Sequence, residues 1–355
     1  MKTVFCIRNL RSVMLLAALT LLLMGLVVQA QQEPLPAAEA LAEGWNRLDV
    51  PGAVCALGDP YAFFVRPADP NKLLVYFQGG GACWDRATCG AFGPYDKTVT
   101  DAASEFGDNG IFDFTDARNP VSEYTMVVVS YCTGDVHTGS VTETFAGDPP
   151  MTIEFRGYDN ATAVLDWTFA NYPQAETVFV TGTSAGAYGA IFNAARIFDA
   201  YPGAGHYVLG DAGVGITPAG WDGFDLWGML ERMPAEQAAP DGSTSINSLL
   251  YSAITNSYPE ARAAQYTTVG DSVQATFYAL MGGVFGDWTP AMRAELSALD
   301  AQVGFSSYIA PGASHGILPL PAFYTTTSGG VNFRGWLADW LANEPVEPVT
   351  CAECG

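Results

Sequence analysis

From residue 44 onward, short β-branched or aromatic runs alternate with longer stretches whose apolar positions recur at helical spacing. The runs at 73–77, 126–130, 177–181, 207–210, 266–269 and 305–310 predict strands. Between the second and third, Ala161, Val164, Leu165, Thr168, Phe169 and Tyr172 share one face of a helix predicted over 159–172. A second helix is predicted from Ala185 to about Tyr201, with small residues near its start that permit close packing on a sheet. This order predicts an α/β fold in which helices flank a mostly parallel central sheet. The stretch from Gly213 to Arg262 breaks the rhythm with Trp221, Phe224, Trp227, Met229, Leu230 and Met233. It reads either as a helical insertion forming a lid or pocket near the strand ends, or as two more packing helices.

The N-terminus has a different pattern. Lys2, Arg8 and Arg11 precede an apolar run over 13–28 that ends in Val28-Gln29-Ala30, which predicts a secretory signal peptide cleaved after about Ala30. The run is short for a membrane span, and no later segment is long and apolar enough to be one. Residues 31–43 read as a Gln-, Pro- and Ala-rich leader, 44–345 as the catalytic domain and 346–355 as a Cys-containing tail. Export brings the cysteines into play: removal of Cys6 leaves Cys55, Cys83, Cys89, Cys132, Cys351 and Cys354, an even set that favours disulfides. Fifteen pairings are open to six cysteines, with Cys83–Cys89 and Cys351–Cys354 the shortest loops.

The formal charge of −22 becomes −25 when the first thirty residues, three basic and none acidic, are removed. Such a surface repels phosphate backbones and excludes nucleic-acid binding. It also opposes a polyanionic substrate unless arginines such as Arg86, Arg118 or Arg156 form a local patch.

Gly182-Thr183-Ser184-Ala185-Gly186 stands between a predicted strand and a predicted helix. A serine at such a turn is forced into a strained backbone conformation that only small neighbours tolerate, and its Oγ is presented above the sheet. Serine needs a base. His315, in a glycine-containing loop after the last predicted strand, suits that role better than His206, before a strand, or His137, which precedes the nucleophile and is expected either to line the pocket or to support it from behind. The acid that orients the base is Asp271 or Asp211, each directly after a predicted strand, with Asp271 favoured by its later station and Asp211 then a supporting residue near the nucleophile turn. Gln78-Gly79-Gly80-Gly81 follows a strand as an oxyanion loop would, and the amides of Gly80 or Gly81 with that of Ala185 are the predicted donors. The constellation predicts an α/β-hydrolase-like fold.

Five segments in order, Phe77 to Asp85 (including Trp84), Val129 to His137, Gly182 to Gly189, Gly210 to Gly213 and Ser314-His315, resemble the successive motifs of the pectin acetylesterase/Notum family. The resemblance implies hydrolysis of carboxylic esters by a Ser184, Asp271, His315 triad, with no metal or other cofactor. Trp84 joins the predicted pocket. Ala82 and His137 stand where animal members carry bulkier aromatics, so the fatty-acyl specificity of Notum is not carried over. The expected function is a secreted serine esterase acting through an acyl-enzyme on acetylated polysaccharide. The alternatives are another acyl ester, lipid-like or polyester, and a catalytically inactive binding protein of the same fold.

Overall fold

The apolar runs become the central strands of one eight-stranded sheet in the computed structural model, which describes residues 34–101, 107–233, 245–351 and 354. The signal-peptide segment, leader residues 31–33 and part of the aromatic insertion, 234–244, lie outside the described residues. Within the compact unit Leu35–Gly355, the sheet strands are β1 (Asn46–Val54), β2 (Pro60–Arg66), β3 (Asp69–Phe77), β4 (Tyr124–Val129), β7 (Thr177–Thr183), β8 (Gly205–Asp211), β9 (Arg262–Thr268) and β10 (Phe305–Ala310). Their order is β1-β2-β4-β3-β7-β8-β9-β10. β1, β2 and β4 pair antiparallel, and every pair from β4 to β10 is parallel. A separate hairpin, β5 (Val141–Phe145) with β6 (Met151–Phe155), was not foreseen, nor were β1 and β2.

Register explains why the central strands read as unbroken apolar runs. Val75 lies opposite Val127 on β4 and Val180 on β7. Successive residues serve opposite faces: Leu73, Val75 and Phe77 enter one core and Leu74 and Tyr76 the other. The first core is covered by helices α1 (Gly157–Asn171), α2 (Ala185–Ala200), α4 (Ile246–Ser257) and α6 (Trp288–Asp300), through residues such as Val164, Ile191, Leu250 and Leu296. Trp336, Leu337 and Trp340 of α7 (Phe333–Leu341) cover the second. A parallel sheet buried on both faces leaves no polar face to alternate with.

Two further elements shape the site: the single turn α3 (Gly223–Leu226) and α5 (Ser272–Leu280). Cysteines pair as Cys55–Cys132, Cys83–Cys89 and Cys351–Cys354. The segment expected as a tail lies against the sheet edge, where Val349 bonds Ile309 and Ser307 of β10. None of the helices among the described residues is long and apolar enough to cross a membrane.

Candidate active site

Ser184, Asp271, His315, Gly80 and Gly81 each follow the C-terminal end of a parallel strand, and Asp211 ends one, where open α/β sheets place their ligands. Ser184 links β7 to α2 with φ 60° and ψ −124°. Its neighbours are glycines by necessity: a Cβ on Gly182 or Gly186 would collide with the carbonyl oxygen of Phe77. The Ser184 amide donates to the backbone carbonyl of Asp211 at 2.7 Å, fixing the turn to β8.

His315 presents Nδ1 to Asp271, 2.9 Å from each carboxylate oxygen. Asp271 is buried and caps α5, accepting from the amides of Val273 and Gln274 at 3.1 and 3.0 Å and from Gln274 Nε2 at 2.9 Å. These donors fix the side chain at the start of the helix, with one face left for the imidazole. With Nδ1 donating to Asp271, Nε2 is the basic nitrogen. It is buried without a hydrogen-bond partner and belongs to the cavity that Ser184 lines. The spacing Asp271-x-x-Gln274 is that of a capping pair, the sequence signal by which Gln274 could have been found.

Asp211 serves a different set of partners. Its buried carboxylate accepts from Thr183 Oγ1 at 2.7 Å, from Leu318 N at 2.9 Å and from Ile317 N at 3.0 Å, joining the nucleophile strand to the chain just after His315. Burial pushes its pKa up to about 6, against the pull of those donors. Thr183 Oγ1 in turn accepts from Tyr76 OH at 3.0 Å.

The glycine loop is tightly built. Gly80 and Gly81 have φ values of 147° and 75°, and a Cβ on Gly81 would strike the Pro94 carbonyl. Gly80 O accepts from Asp96 N at 2.8 Å and Gly81 O from Tyr131 OH at 2.8 Å, while Ala82 N donates to Pro94 O at 3.3 Å. No protein carbonyl among the described residues takes the Gly80 or Gly81 amide. As the first helical residue of α2, Ala185 also has an amide without an intrahelical partner.

Of the two places open to His137, lining the cavity or supporting it from behind, it has the second; its neighbour Val136 lines the cavity. His137 is buried beneath the loop, where Nε2 donates to Gln78 O at 2.8 Å and the ring packs on Phe77 and Tyr131. Burial lowers its pKa to about 4, outweighing that hydrogen bond. Gly189 leaves the space it fills. His206 is remote from this arrangement, stacked on Phe198 and bonded to Tyr201 O.

Two clefts meet at Ser184 and His315. One is narrow, about 60 Å³, and walled by Trp84, Trp221, Phe224, Phe277 and Trp288, with Gly81 and Ala185 beside the serine. Trp84 meets Trp221 edge-on with ring centroids 5.5 Å apart. The aromatic insertion thus supplies pocket wall through Trp221, Phe224 and Trp227, whereas Met229 and Met233 pack into the core. The other cleft holds about 400 Å³ and runs past Tyr76, Gly80, Asp96 and Pro319. Phe277 and Trp288 lie outside the stretch that sequence patterning singled out; they belong to α5 and α6, and Trp288 also packs into the core beside Met292 and Leu296. Among the described residues no cluster of side chains has the composition of a metal site.

The chain is similar to two curated proteins of Arabidopsis thaliana. It is 32% identical to pectin acetylesterase 11 over 152 residues and 31% identical to pectin acetylesterase 7 over 148, each alignment covering 40% of this chain. The matched region spans 37% of the length of either relative. The pectinacetylesterase family model matches residues 45–224, a span that contains the glycine loop and Ser184 and ends before Asp271 and His315. With just over half of its length matched in this way, the chain belongs to the pectinacetylesterase family.

Proposed function

We propose that this chain is a secreted serine carboxylic ester hydrolase that removes acetyl groups from polysaccharide. The observation that carries the reading is the convergence of a serine on a strained strand-to-helix turn and a histidine oriented by a buried carboxylate on one cavity. Ser184 Oγ attacks the ester carbonyl while His315 Nε2 takes its proton. A tetrahedral intermediate forms, with its oxyanion facing the amides of Ala185 and of Gly80 or Gly81. Collapse breaks the bond to the alcohol oxygen, which receives the proton from His315. Water, deprotonated by the same nitrogen, then releases the acid and regenerates the serine. Asp271 holds the tautomer and stabilises the imidazolium throughout.

The narrow cleft is assigned to the acyl group: with one water needing about 10–15 Å³, about 60 Å³ is room for a short acyl chain, acetyl included. Its aromatic walls favour the second reading, a longer apolar acyl ester, if the walls part on binding. Hydrolysis of p-nitrophenyl esters of increasing chain length separates the two: acetyl specificity predicts the highest kcat/KM at C2, and an optimum at C8 would decide for the longer chain. Ser184→Ala should abolish turnover of p-nitrophenyl acetate, and retention of full turnover would reject the mechanism. Secretion is supported by the signal-like N-terminus and by three disulfides among the described residues.

A further inference from the structure

The wider cleft has one acidic side chain among its described lining residues, the carboxylate of Asp96. Asp96 is fixed by its backbone, which donates to Gly80 O at 2.8 Å, and its Oδ2 leans over Gly80 so closely that a Cβ there would stand 2.5 Å away. Among the described residues the carboxylate makes no hydrogen bond, so its acceptor positions face the cleft uncommitted. No lysine or arginine lines either cleft among the described residues.

The arginines named as candidates for an anion patch are turned elsewhere. Arg118 pairs with Asp116, Arg156 with Glu154 and Asp159, and Arg86 donates to Pro149 O. Lys97, next to Asp96 in the chain, lays its ammonium 4.1 Å from the Tyr95 ring centroid and donates to the carbonyls of Gly93 and Tyr95. A uronate unit entering the cleft would meet the Asp96 carboxylate and, among the described residues, no lining cation; Lys97 acts on Asp96 through its charge but does not line the cleft, and the chain's formal charge is −22.

We propose that the wider cleft binds the alcohol half of the ester as an uncharged polyhydroxyl group, with Asp96 accepting hydrogen bonds from its hydroxyls. The chain then deacetylates neutral glycans in preference to polygalacturonate. This inference rests on the ester-hydrolase reading of Ser184 and deepens it. Hydroxyls donating to a carboxylate are charge-assisted and strong, whereas an apposed carboxylate is repelled in a salt-dependent way.

The test measures acetate release by the mature chain from acetylated xylan, acetylated glucomannan and acetylated polygalacturonate of matched acetyl content, at low and high salt, beside p-nitrophenyl acetate. The neutral glycans should be favoured by about tenfold or more in kcat/KM at low salt, with the gap narrowing as salt screens the repulsion. Asp96→Lys should shift the ratio toward polygalacturonate, and the isosteric Asp96→Asn should shift it the same way by less. Equal or faster release from polygalacturonate at low salt, no release from any glycan by an enzyme active on p-nitrophenyl acetate, or an unchanged ratio in both variants overturns the inference. Failure of the wild type to hydrolyse p-nitrophenyl acetate, or equal hydrolysis by Ser184→Ala, overturns the underlying reading instead.

Discussion

Two buried aspartates, Asp211 and Asp271, bear on the segment that carries His315, and their hydrogen bonds separate what each contributes. Asp271 meets the imidazole at Nδ1, so Asp271→Asn would present an amide to a nitrogen that must donate, and favour the wrong tautomer. It is expected to lower kcat on p-nitrophenyl acetate by about 10³–10⁴ with KM little changed. Asp211 touches no ring atom in this hydrogen-bond network; it spans Thr183 and the amides of Ile317 and Leu318, and so sets the spacing of serine and histidine. Asp211→Asn should therefore cost about 10- to 100-fold through misplacement, together with a lower melting temperature. Steady-state kinetics on both variants checks the assignment, and a larger loss in Asp211→Asn would reverse it. Sequence alone leaves this pair open because each aspartate follows a strand of the same sheet. What separates them is which loop folds over which strand end, a tertiary fact with no local signature. Asp96 is hidden for the same reason, since nothing in its neighbourhood marks it as facing a cleft.

At the scale of elements, the sheet strands β3, β4, β7, β8, β9 and β10 are legible because burial on both faces requires apolar runs. β1 is not legible, because it is an edge strand carrying Asp49, Pro51 and Gly52 and rests largely in solvent. The loop over 78–81 is legible as a glycine run, but its support is not. That support is His137, which pins Gln78 O from below while filling the space left by Gly189 of α2.

Its consequence is thermodynamic. The folded-state pKa of about 4 lies below the ordinary value of 6.5, so the unfolded chain binds the extra proton between them. His137 thus imposes no penalty above about pH 6.5, and stability is lost as pH falls toward 4, by about 3 kcal/mol. Asp135 and Asp211, raised by burial from 3.8 to about 6, act in the opposite sense: their contribution is full below about pH 4 and lost as pH rises through 6. The partial cancellation makes the wild type a poor probe. His137→Gln removes one side of it, so denaturant unfolding should show the wild type gaining on the variant as pH rises from about 4 to 6.5. A difference constant with pH, or one of opposite slope, would show that His137 is not held neutral.

For the molecule as a whole, a parallel sheet brings the ends of β3, β7, β8, β9 and β10 together, although their residues are scattered from 77 to 315 along the chain. Five chemically weak signals thereby become one site. The chain's formal charge is strongly negative and no lysine or arginine lines the site among the described residues; under the substrate proposal, that charge acts on substrate choice and not on the bond-breaking step. The central claim is that Ser184 is the nucleophile. It is tested most directly by reacting the mature chain with a fluorophosphonate and mapping the adduct by peptide mass spectrometry alongside residual turnover of p-nitrophenyl acetate. A single adduct on Ser184, formed in step with loss of turnover, is the expected result. Loss of turnover with the adduct on another residue, or intact turnover after Ser184 is fully modified, would contradict it.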